Sequence, residues 1–359
     1  MQFSLREIES IKSYASSINI SQLSFSDTDL SEYIPAYKKW IDKNYHGSMS
    51  YMTKHGNKRL IPEQLIPNTK SVIVITYNYF NEGYKYKNIK SKLTEASKNG
   101  IISQYAVGRD YHKVVKKKLS KIVKYIETMK PNFQSRIFTD SAPVLEKPLA
   151  EKAGIGYIGK NSMLISPEHG SFFFLGVIFT NQLLPENYHP HRTPDLCKGC
   201  TACIKICPTG AIDHNKMIDA RKCISYLTIE NKGPIPIEYR KAIGTRIYGC
   251  DDCQLICPWN KHSNITDDDD FFRRTIFKES NLIDLFQWSE DDFLKHTEGS
   301  AIRRIGHTNW IRNIAIALGN LPPSDKILGI LKIKLTQINN DLLREHILWA
   351  INNHETNIA

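Results

Sequence analysis

All eight cysteines of this chain lie between residues 197 and 257, and their spacing limits the possible folds more than any other feature. The first four start at Cys197 and follow the pattern Cys-x2-Cys-x2-Cys-x3-Cys-Pro. A later run starts at Cys250 and follows Cys-x2-Cys-x3-Cys-Pro, while Cys223 stands between the two runs. The sequence has no pattern of a secretory signal, so a disulfide framework is not expected. These cysteines are therefore predicted to bind metal.

Two [4Fe–4S] clusters account for this spacing more fully than zinc does. In bacterial ferredoxins the closely spaced thiolates bind one cluster, and the cysteine that precedes proline binds the other. Cys-x2-Cys pairs also suit tetrahedral zinc, but zinc does not explain the triple spacing or its x3-Cys-Pro ending. The predicted ligands of the first cluster are Cys197, Cys200, Cys203 and Cys257, and those of the second are Cys207, Cys223, Cys250 and Cys253. Because such clusters pass single electrons, we expect another cofactor or a partner to receive them.

The remaining sequence predicts an α+β protein with three regions. The 359 residues, of which 41% are hydrophobic and 24% charged, are typical of a globular chain with two or three domains. Residues 1–185 are predicted to form an α/β domain, 186–265 a ferredoxin-like cluster domain and 266–359 a helical region. No uncharged stretch approaches the ~20 residues of a membrane helix. We therefore expect a soluble, cytoplasmic protein with no membrane partner.

Hydrophobic patterns place several elements in the first region. Its β-branched and apolar runs predict strands at residues 71–77, 136–139, 162–166 and 171–180. Helices are predicted at residues 113–129 and at 144–153, the second closed by Gly154.

The glycines Gly154, Gly156 and Gly159 match the pattern G-x-G-x-x-G. A dinucleotide site requires a strand before this pattern and a helix after it, with an acidic residue ~20 positions further on. Here a helix precedes, a strand follows and residues 173–178 contain no acid. The glycines are instead predicted to end a helix and form a tight turn.

Two segments near the end of the chain resemble each other. Residues 310–320 match residues 343–353 at an offset of 33 residues, with apolar positions in register. This pattern predicts stacked helix pairs of the HEAT type. Two unrelated amphipathic helices remain an alternative, since only two copies are present.

The formal net charge of +11 and the pI of 9.1 favour a polyanionic partner. Bases dominate residues 85–130, and many of them fall in the predicted helix at 113–129. A solvent-exposed face of this helix explains these bases equally well. The lysines of this helix include Lys113, Lys116, Lys117, Lys118, Lys121 and Lys124.

Long sequence blocks between about residues 50 and 320 occur in order in one known family. They cover residues 105–112, 138–146, 153–161, 223–230, 232–236, 246–260, 302–306 and 310–313. These blocks resemble the epoxyqueuosine reductases, enzymes that modify tRNA with the help of cobalamin. The resemblance implies an oxidoreductase that reduces epoxyqueuosine to queuosine at the wobble position of tRNA, as the final step of queuosine biosynthesis.

The resemblance also implies cofactors and an acid. Electrons would pass through two [4Fe–4S] clusters to a base-off cobalamin that has no protein histidine on cobalt. The sequence is compatible with this absence, because Val115 stands where the histidine-ligating motif D-x-H-x-x-G, begun by Asp110 and His112, would need glycine. Asp140 matches the proton donor of the family. Taken alone, Asp140 also suits the N-cap of the following helix.

Other site residues follow from the matching blocks. The residues expected to line the cobalamin or the substrate are Arg59, Tyr105, Asp140, Lys160, Asn161, Ser225, Tyr226, Asp251 and Asp252. The residues expected to contact the anticodon stem-loop are Lys113, Lys116, Lys117, Arg303, Arg304 and Arg312. The chain is expected to act as a monomer, and its external electron donor is unknown.

Three other functions compete with this interpretation. One is a corrinoid-dependent reductase of a small molecule, similar to a reductive dehalogenase. Another is an electron-transfer ferredoxin with added binding domains, which predicts neither a corrinoid nor a role for Asp140. The third is a nucleic-acid-binding protein with structural clusters, which predicts RNA affinity without turnover.

Overall fold

Strands form three small sheets in the computed structural model, which describes residues 1–81 and 99–356. The strands are β1 (Gln22–Ser26), β2 (Ser71–Asn78), β3 (Ile101–Ile102), β4 (Ser135–Phe138), β5 (Tyr157–Ile158), β6 (Leu164–Ile165), β7 (Phe173–Thr180) and β8 (Arg246–Tyr248). The largest sheet has the order β1-β2-β7-β4, and all of its neighbouring strands are antiparallel. Its central strands β2 and β7 pair along their whole length, from Ser71 opposite Thr180 to Asn78 opposite Phe173.

Helices cover both faces of the large sheet because successive side chains of a strand point to opposite sides. Ile73 and Ile75 face one hydrophobic cluster with helices α1 and α4, whereas Val72 and Val74 face another with α5. The helices of the first region are α1 (Leu5–Ser17), α2 (Ile34–Asp42), α3 (Pro62–Leu65), α4 (Tyr111–Met129) and α5 (Glu146–Lys152). The first region is therefore a three-layer arrangement of helices and sheet.

The structure confirms most of the predicted elements and moves some of their ends. The predicted strand at 71–77 extends to Asn78. The predicted helix at 113–129 begins at Tyr111, because the side chain of Asp110 accepts the main-chain N–H of His112 and caps it. The predicted helix at 144–153 begins only at Glu146, and the predicted strand at 162–166 is reduced to two residues.

The glycine motif ends helix α5, as the sequence predicts. Gly154 has a φ of +75°, its N–H donates to the carbonyl of Glu151, and the N–H of Ile155 donates to the carbonyl of Ala150. These two hydrogen bonds define a Schellman motif, which satisfies the last carbonyls of a helix. Strand β5 follows the turn, so the order helix, turn, strand differs from that of a dinucleotide site.

The middle region consists of short helices joined by loops. They are α6 (Ala202–Ile206), α7 (Ile224–Ile229), α8 (Ile237–Ile243) and α9 (Asp252–Leu255). Strand β8 of this region pairs in parallel with β3 of the first region, and the indole N–H of Trp40 donates to the carbonyl of Ile218 over 2.8 Å. The first and middle regions are therefore packed against each other, while the domain limits at 185 and 265 stay predictions.

The last region is helical. Its helices are α10 (Thr275–Glu279), α11 (Leu282–Gln287), α12 (Glu290–His296), α13 (Gly306–Gly319), α14 (Asp325–Gln337) and α15 (Asp341–Thr356). The two matching segments lie in α13 and α15, which approach so closely that a Cβ on Gly319 would be 2.8 Å from the Cα of Ala350. The assignment of these helices to HEAT-type repeats stays a prediction.

None of the helices within 1–81 and 99–356 combines the length and the apolar character needed to cross a bilayer. Of the basic stretch at residues 85–130, residues 85–98 lie outside the described residues. The rest of that stretch includes helix α4, whose apolar side packs on the sheet and whose lysines occupy its other sides.

Candidate active site

A cavity of ≈ 630 Å³ opens where the three regions meet. The first region contributes residues of the segments 49–59 and 140–148 together with Tyr105. The middle region contributes residues 225–230, and the last region contributes Arg304. Because sites for cofactors commonly form between domains, this cavity is the candidate active site.

Asp140 lies on the cavity wall just after the end of strand β4. Its main chain has a φ of +52°, a left-handed conformation that residues other than glycine rarely adopt. The hydroxyl of Tyr111 donates a hydrogen bond to Oδ2 of Asp140, and the N–H of Asp140 donates to Oε1 of Glu146 over 2.7 Å. Asp140 is exposed to the cavity, with its carboxyl group held by Tyr111 and its main chain held by Glu146.

The alternative role of Asp140 as a helix cap does not agree with this geometry. Helix α5 begins at Glu146, its N-cap residue is Leu145, and no side chain caps it. Asp140 precedes the helix by six positions and bonds to the side chain of Glu146 through its own N–H. Its strained conformation therefore serves to present the carboxyl group rather than to start the helix.

Tyr111 is the first residue of helix α4 and is buried behind Asp140. Its ring stacks on that of Phe174 at a centroid distance of 4.1 Å, which directs the hydroxyl toward Asp140. Burial, and then the negative charge of Asp140, raise the pKa of Tyr111 far above its ordinary value. The hydroxyl is therefore a permanent hydrogen-bond donor to Asp140.

Glu146 is the second carboxyl group on the same wall. Burial, and then the negative charge of Asp140, raise the pKa of Glu146 to about 8. The neighbouring Lys147 donates to the carbonyl of Ser162 over 2.7 Å, and burial lowers the pKa of its amine. Both side chains belong to the open cavity, where solvent reaches them although protein surrounds them.

Ser225 and Tyr226 line the opposite side and come from helix α7. The hydroxyl of Tyr226 accepts the N–H of Ser48 over 2.7 Å and also bonds to its hydroxyl group. Gly47 makes this contact possible, since a Cβ there would lie 2.5 Å from the Tyr226 oxygen and the residue has a φ of +58°. Tyr226 thus fixes the loop that carries Met49 to the cavity.

Arg59 and Tyr105 also lie on the wall. Arg59 is buried and donates through Nη2 to the carbonyl of Tyr51 over 3.2 Å. Its Nε is buried without a hydrogen-bond partner among the described residues. The hydroxyl of Tyr105 donates to that of Tyr248 over 3.3 Å. An unpaired buried donor at a cavity indicates room for a polar ligand.

The cysteines form two neighbouring groups. A cavity of ≈ 220 Å³ is lined by all four predicted ligands of the first cluster. In the second group Cys253 is half-buried, and desolvation, followed by the nearby Cys223, Cys203 and Cys207, raises the pKa of its thiol. No three His, Cys, Asp or Glu side chains of the described residues converge as they would around a single metal ion. The first-group cavity is lined by Cys197, Cys200, Cys203 and Cys257.

Lys160 and Asn161 do not line the large cavity, and their contact with cobalamin or substrate stays a prediction. Both line the cavity of the first cysteine group. Lys160 donates to the carbonyls of Lys198 and Cys200, and Asn161 donates to the carbonyl of Cys253 over 3.1 Å. Both side chains are therefore hydrogen-bonded to the main chain of the cysteine loops.

Asp251 and Asp252 are also absent from the wall of the large cavity, and their contact with cobalamin or substrate likewise stays a prediction. Asp251 is buried, accepts the N–H of Gln104 over 2.7 Å and bonds to Ser103. Burial raises the pKa of Asp251 to about 6. Asp252 pairs with Arg246 over 2.6 Å, and both side chains are buried. The two carboxylates connect the cluster loops to the rest of the protein.

Most residues predicted to contact tRNA lie at the surface. Lys113 and Lys117 are exposed on helix α4, and Nζ of Lys116 lies 3.3 Å from Oγ of Ser141, next to Asp140. Arg303 is exposed, and the adjacent Arg304 lies on the cavity wall. These bases therefore lie on two sides of the cavity mouth.

Arg312 contradicts its predicted role in binding tRNA. Its side chain is fully buried in helix α13. Its guanidinium donates to the main-chain carbonyls of Leu227, Asn231 and Gly233 at 2.7–2.9 Å. The prediction failed because a base in an apolar helix can satisfy carbonyl oxygens inside the protein instead of phosphates outside it.

The polar residues at the site that sequence reasoning missed include Tyr111, Glu146 and Glu230. Glu146 ends a matching block, yet on sequence alone it looked like a surface charge on a helix. Tyr111 precedes the predicted start of helix α4, and Glu230 ends a matching block. Their places in these blocks were the available signal, but only the fold brings them to the cavity.

Comparisons with known proteins agree with this architecture. A family model described as "Epoxyqueuosine reductase QueG, DUF1730" matches residues 59–141, and one described as "4Fe-4S double cluster binding domain" matches residues 196–260. An epoxyqueuosine reductase of Francisella cf. novicida (strain Fx1) is 53% identical over 354 residues, which are 98% of each chain.

Solved structures of the same family have the same fold. The epoxyqueuosine reductase of Streptococcus thermophilus superposes with a TM-score of 0.86 at 26% identity, over 98% of this chain and 91% of the other. An epoxyqueuosine reductase bound to an epoxyqueuosine-modified stem loop of tRNA-Tyr superposes with a TM-score of 0.81 at 25% identity. That match covers 98% of this chain and 99% of the other.

Proposed function

The chain belongs to the epoxyqueuosine reductase family, and we propose that its large cavity is the place where the epoxide of epoxyqueuosine in tRNA is reduced. The enzyme is an oxidoreductase, and its substrate is the modified tRNA. The observation that carries the proposed site is the presentation of Asp140. Its carboxyl group faces a cavity that reaches from the cluster region to a surface with exposed bases.

The reaction sets the requirements of the site. Conversion of an epoxide to an alkene and water consumes two electrons and two protons. The clusters supply electrons one at a time, while the leaving oxygen requires an acid within hydrogen-bond reach. Asp140 is the proposed acid, because its carboxyl group faces the cavity and is oriented by Tyr111 and Glu146.

The cysteine groups suggest the direction of electron flow. Cys200 of the first group is exposed, so an external donor can approach the first cluster. Cys223 of the second group immediately precedes helix α7, which carries Ser225 and Tyr226 to the cavity. We therefore infer that electrons enter at the first cluster and leave from the second.

The residues of the cavity fit a cobalamin. The volume of ≈ 630 Å³, the mixture of apolar and polar side chains and the unpaired Nε of Arg59 suit a large ligand with polar edges. Arg59, Tyr105, Ser225 and Tyr226 are the residues that would hold it. When bound, a cobalamin supplies a metal centre that accepts single electrons and delivers two to the substrate. The family resemblance implies that no histidine binds its cobalt, and His55 on the wall is the residue with which to test this.

The bases at the cavity mouth are the proposed contacts with the anticodon stem-loop. Lys116 and Arg303 lie on different elements beside the opening, with Lys113 and Lys117 further along helix α4. Phosphate neutralisation by such bases positions the RNA, and an unstacked wobble base can then enter a pocket.

The test is turnover by anaerobically reconstituted protein with cobalamin, a strong reductant and tRNA that carries epoxyqueuosine. Mass spectrometry of the nucleosides should show loss of one oxygen with wild type and none with Asp140→Ala. If wild type forms no product although clusters and cobalamin are bound, the proposed function is wrong. If Asp140→Ala is as active as wild type, the function stands and the proposed acid does not.

A further inference from the structure

Reduction of an epoxide to an alkene and water needs two protons, and a single carboxyl group holds one. The first proton is needed when the carbon–oxygen bond breaks, and the second is needed before the oxygen leaves as water. Asp140 must therefore be reprotonated within the turnover, or a second group must act. Tyr111 does not meet this need, since its pKa is raised far above the ordinary value.

We propose that Glu146 is the second acid of this site: it holds the N–H of Asp140 in place and restores the proton of the Asp140 carboxyl group after that proton has gone to the leaving oxygen. This inference rests on the proposed function, because it assigns a role within the same reaction. Glu146 acts through Asp140 and is therefore a positioning residue that also supplies a proton.

The geometry supports the positioning role. Oε1 of Glu146 accepts the N–H of Asp140 over 2.7 Å, and Asp140 has the left-handed φ of +52°. A conformation of this kind is unfavourable for a residue with a Cβ and persists only where other contacts hold it. The loop between Asp140 and Glu146 lines the cavity along its whole length. Glu146 thus closes this loop onto the first turn of helix α5.

The surroundings of Glu146 favour its protonated form. The group is surrounded by protein on the cavity wall, and Asp140 places a negative charge next to it once the proton of Asp140 has gone to the leaving oxygen. The N–H of Asp140 that donates to Glu146 favours the ionised form, as do the charges of Lys147 on the same helix and of Arg59 on the segment 56–59. Burial and Asp140 prevail, so that the pKa of Glu146 is raised to about 8. The other titratable groups on the cavity wall are Tyr51, His55, Tyr105, Tyr226, Glu230 and Arg304.

Proton transfer within this pair balances. Asp140 loses a proton to the oxygen that departs from carbon and becomes a carboxylate. Glu146 then passes its proton to this carboxylate, and the restored Asp140 protonates the hydroxide to water. Solvent in the open cavity reprotonates both Asp140 and Glu146 after the product leaves. The two electrons come from the clusters, as in the proposed function.

Two substitutions separate the two roles of Glu146. In Glu146→Gln the amide oxygen can still accept the N–H of Asp140, but no transferable proton remains. In Glu146→Ala the hydrogen-bond acceptor and the transferable proton are both lost. Glu186→Gln is the matched control, since Glu186 is exposed in a loop outside the cavity. Cluster absorbance and melting temperature identify variants that keep the fold.

Single-turnover rates with epoxyqueuosine tRNA are measured for all four proteins at neutral pH and at several concentrations of a small acid such as acetic acid. We expect Glu146→Gln to be slower than wild type by at least about tenfold, with unchanged tRNA affinity and a rate that rises with acid concentration. Glu146→Ala should be slower still and less well rescued. Wild type and Glu186→Gln should be equal and insensitive to the acid.

Infrared spectra of the cluster-loaded protein without cobalamin provide a reading that does not depend on turnover. The protonated carboxyl band of wild type at pH 7 should be weaker in Glu146→Gln by the contribution of one carboxyl group. Equal rates for wild type and Glu146→Gln, or a band that survives the substitution unchanged, would overturn the proposal and leave the proposed function intact. Absence of product from wild type would instead overturn the proposed function, whatever the infrared result.

Discussion

Nη2 of Arg304 lies 2.6 Å from Oε1 of Glu230 on the wall of the active-site cavity. Arg304 belongs to the last region of the chain, and Glu230 follows helix α7 of the cluster region. An ion pair that is partly exposed adds little to stability. Its effect is instead to hold the side chain of Arg304 along the cavity wall, while the neighbouring Arg303 stays exposed for RNA.

Asp140→Asn keeps the size of the side chain and removes its proton. We expect turnover of epoxyqueuosine tRNA to fall by about 10²-fold or more, because general acid catalysis is typically worth that much. Binding of the tRNA should stay within about twofold of wild type. Gel-shift and single-turnover assays measure the two quantities. Asp291→Asn, an exposed position on helix α12, is the control, and equal losses in both variants would contradict the assigned acid.

Tyr111→Phe removes the hydroxyl that donates to Asp140 and keeps the ring that stacks on Phe174. A hydrogen bond to a charged group is worth about 1.5–3 kcal/mol, so kcat should fall about tenfold or more. The KM for tRNA should not change, since Tyr111 is buried behind the acid. Steady-state kinetics test this. A change in KM alone would show that Tyr111 does not act through Asp140.

Arg303 and Arg312 should respond differently to alanine. Arg303→Ala removes an exposed base, so tRNA affinity should fall while stability stays nearly unchanged. The slope of log affinity against log salt concentration should decrease by the equivalent of about one phosphate contact. Arg312→Ala leaves three carbonyls without their donor and should destabilise the fold by about 2–4 kcal/mol. Salt-dependent binding and denaturant unfolding separate the two effects. A well-folded Arg312→Ala that binds tRNA poorly would restore the original prediction for Arg312.

Substitution of one cysteine in each group tests the cluster assignment. Cys257→Ser should lower the iron content by about one [4Fe–4S] cluster and leave the second cluster visible by electron paramagnetic resonance after reduction. Cys223→Ser should remove the other cluster, because Cys223 is near Cys207 and Cys253. If the cluster that remains had the same spectrum in both variants, or if each variant lost both clusters, two separate sets of ligands would be contradicted.

The pH dependence of stability should report the protonation of Glu146. Its pKa is raised from 4.5 to about 8 in the folded protein, by burial and by Asp140. Between these values the folded protein keeps a proton that the unfolded chain releases, so this contribution to stability is full at low pH and is lost as the pH rises toward 8. Glu146→Gln cannot ionise. Its melting temperature relative to that of wild type should therefore increase between about pH 5 and pH 8. A constant difference would show that Glu146 is ionised over the whole interval.

Local patterns predicted the elements whose formation depends on neighbours in sequence. The run from Ser71 to Asn78 is buried on both faces, so an unbroken series of apolar and β-branched residues was sufficient to identify it. Gly154 was recognised as the end of a helix because the left-handed conformation there favours glycine. The close cysteine spacings likewise predicted one group of ligands that lines a common cavity.

The cavity depends on contacts that sequence patterns do not contain. Asp140, Tyr226 and Arg304 come from three regions, and only their packing brings them to one wall. Arg303 and Arg312 show the same limit, since both are bases in matching blocks and one is exposed while the other is fully buried.

The sequence by itself determined the metal chemistry and the family, because ligand spacing and long matching blocks are properties of the chain. The tertiary structure decided which polar side chains face the cavity and which bond inside the protein. The physical reason is that the pKa of Glu146 and the partners of Arg312 depend on desolvation and on groups brought close by folding. Neither burial nor proximity is encoded at a single position.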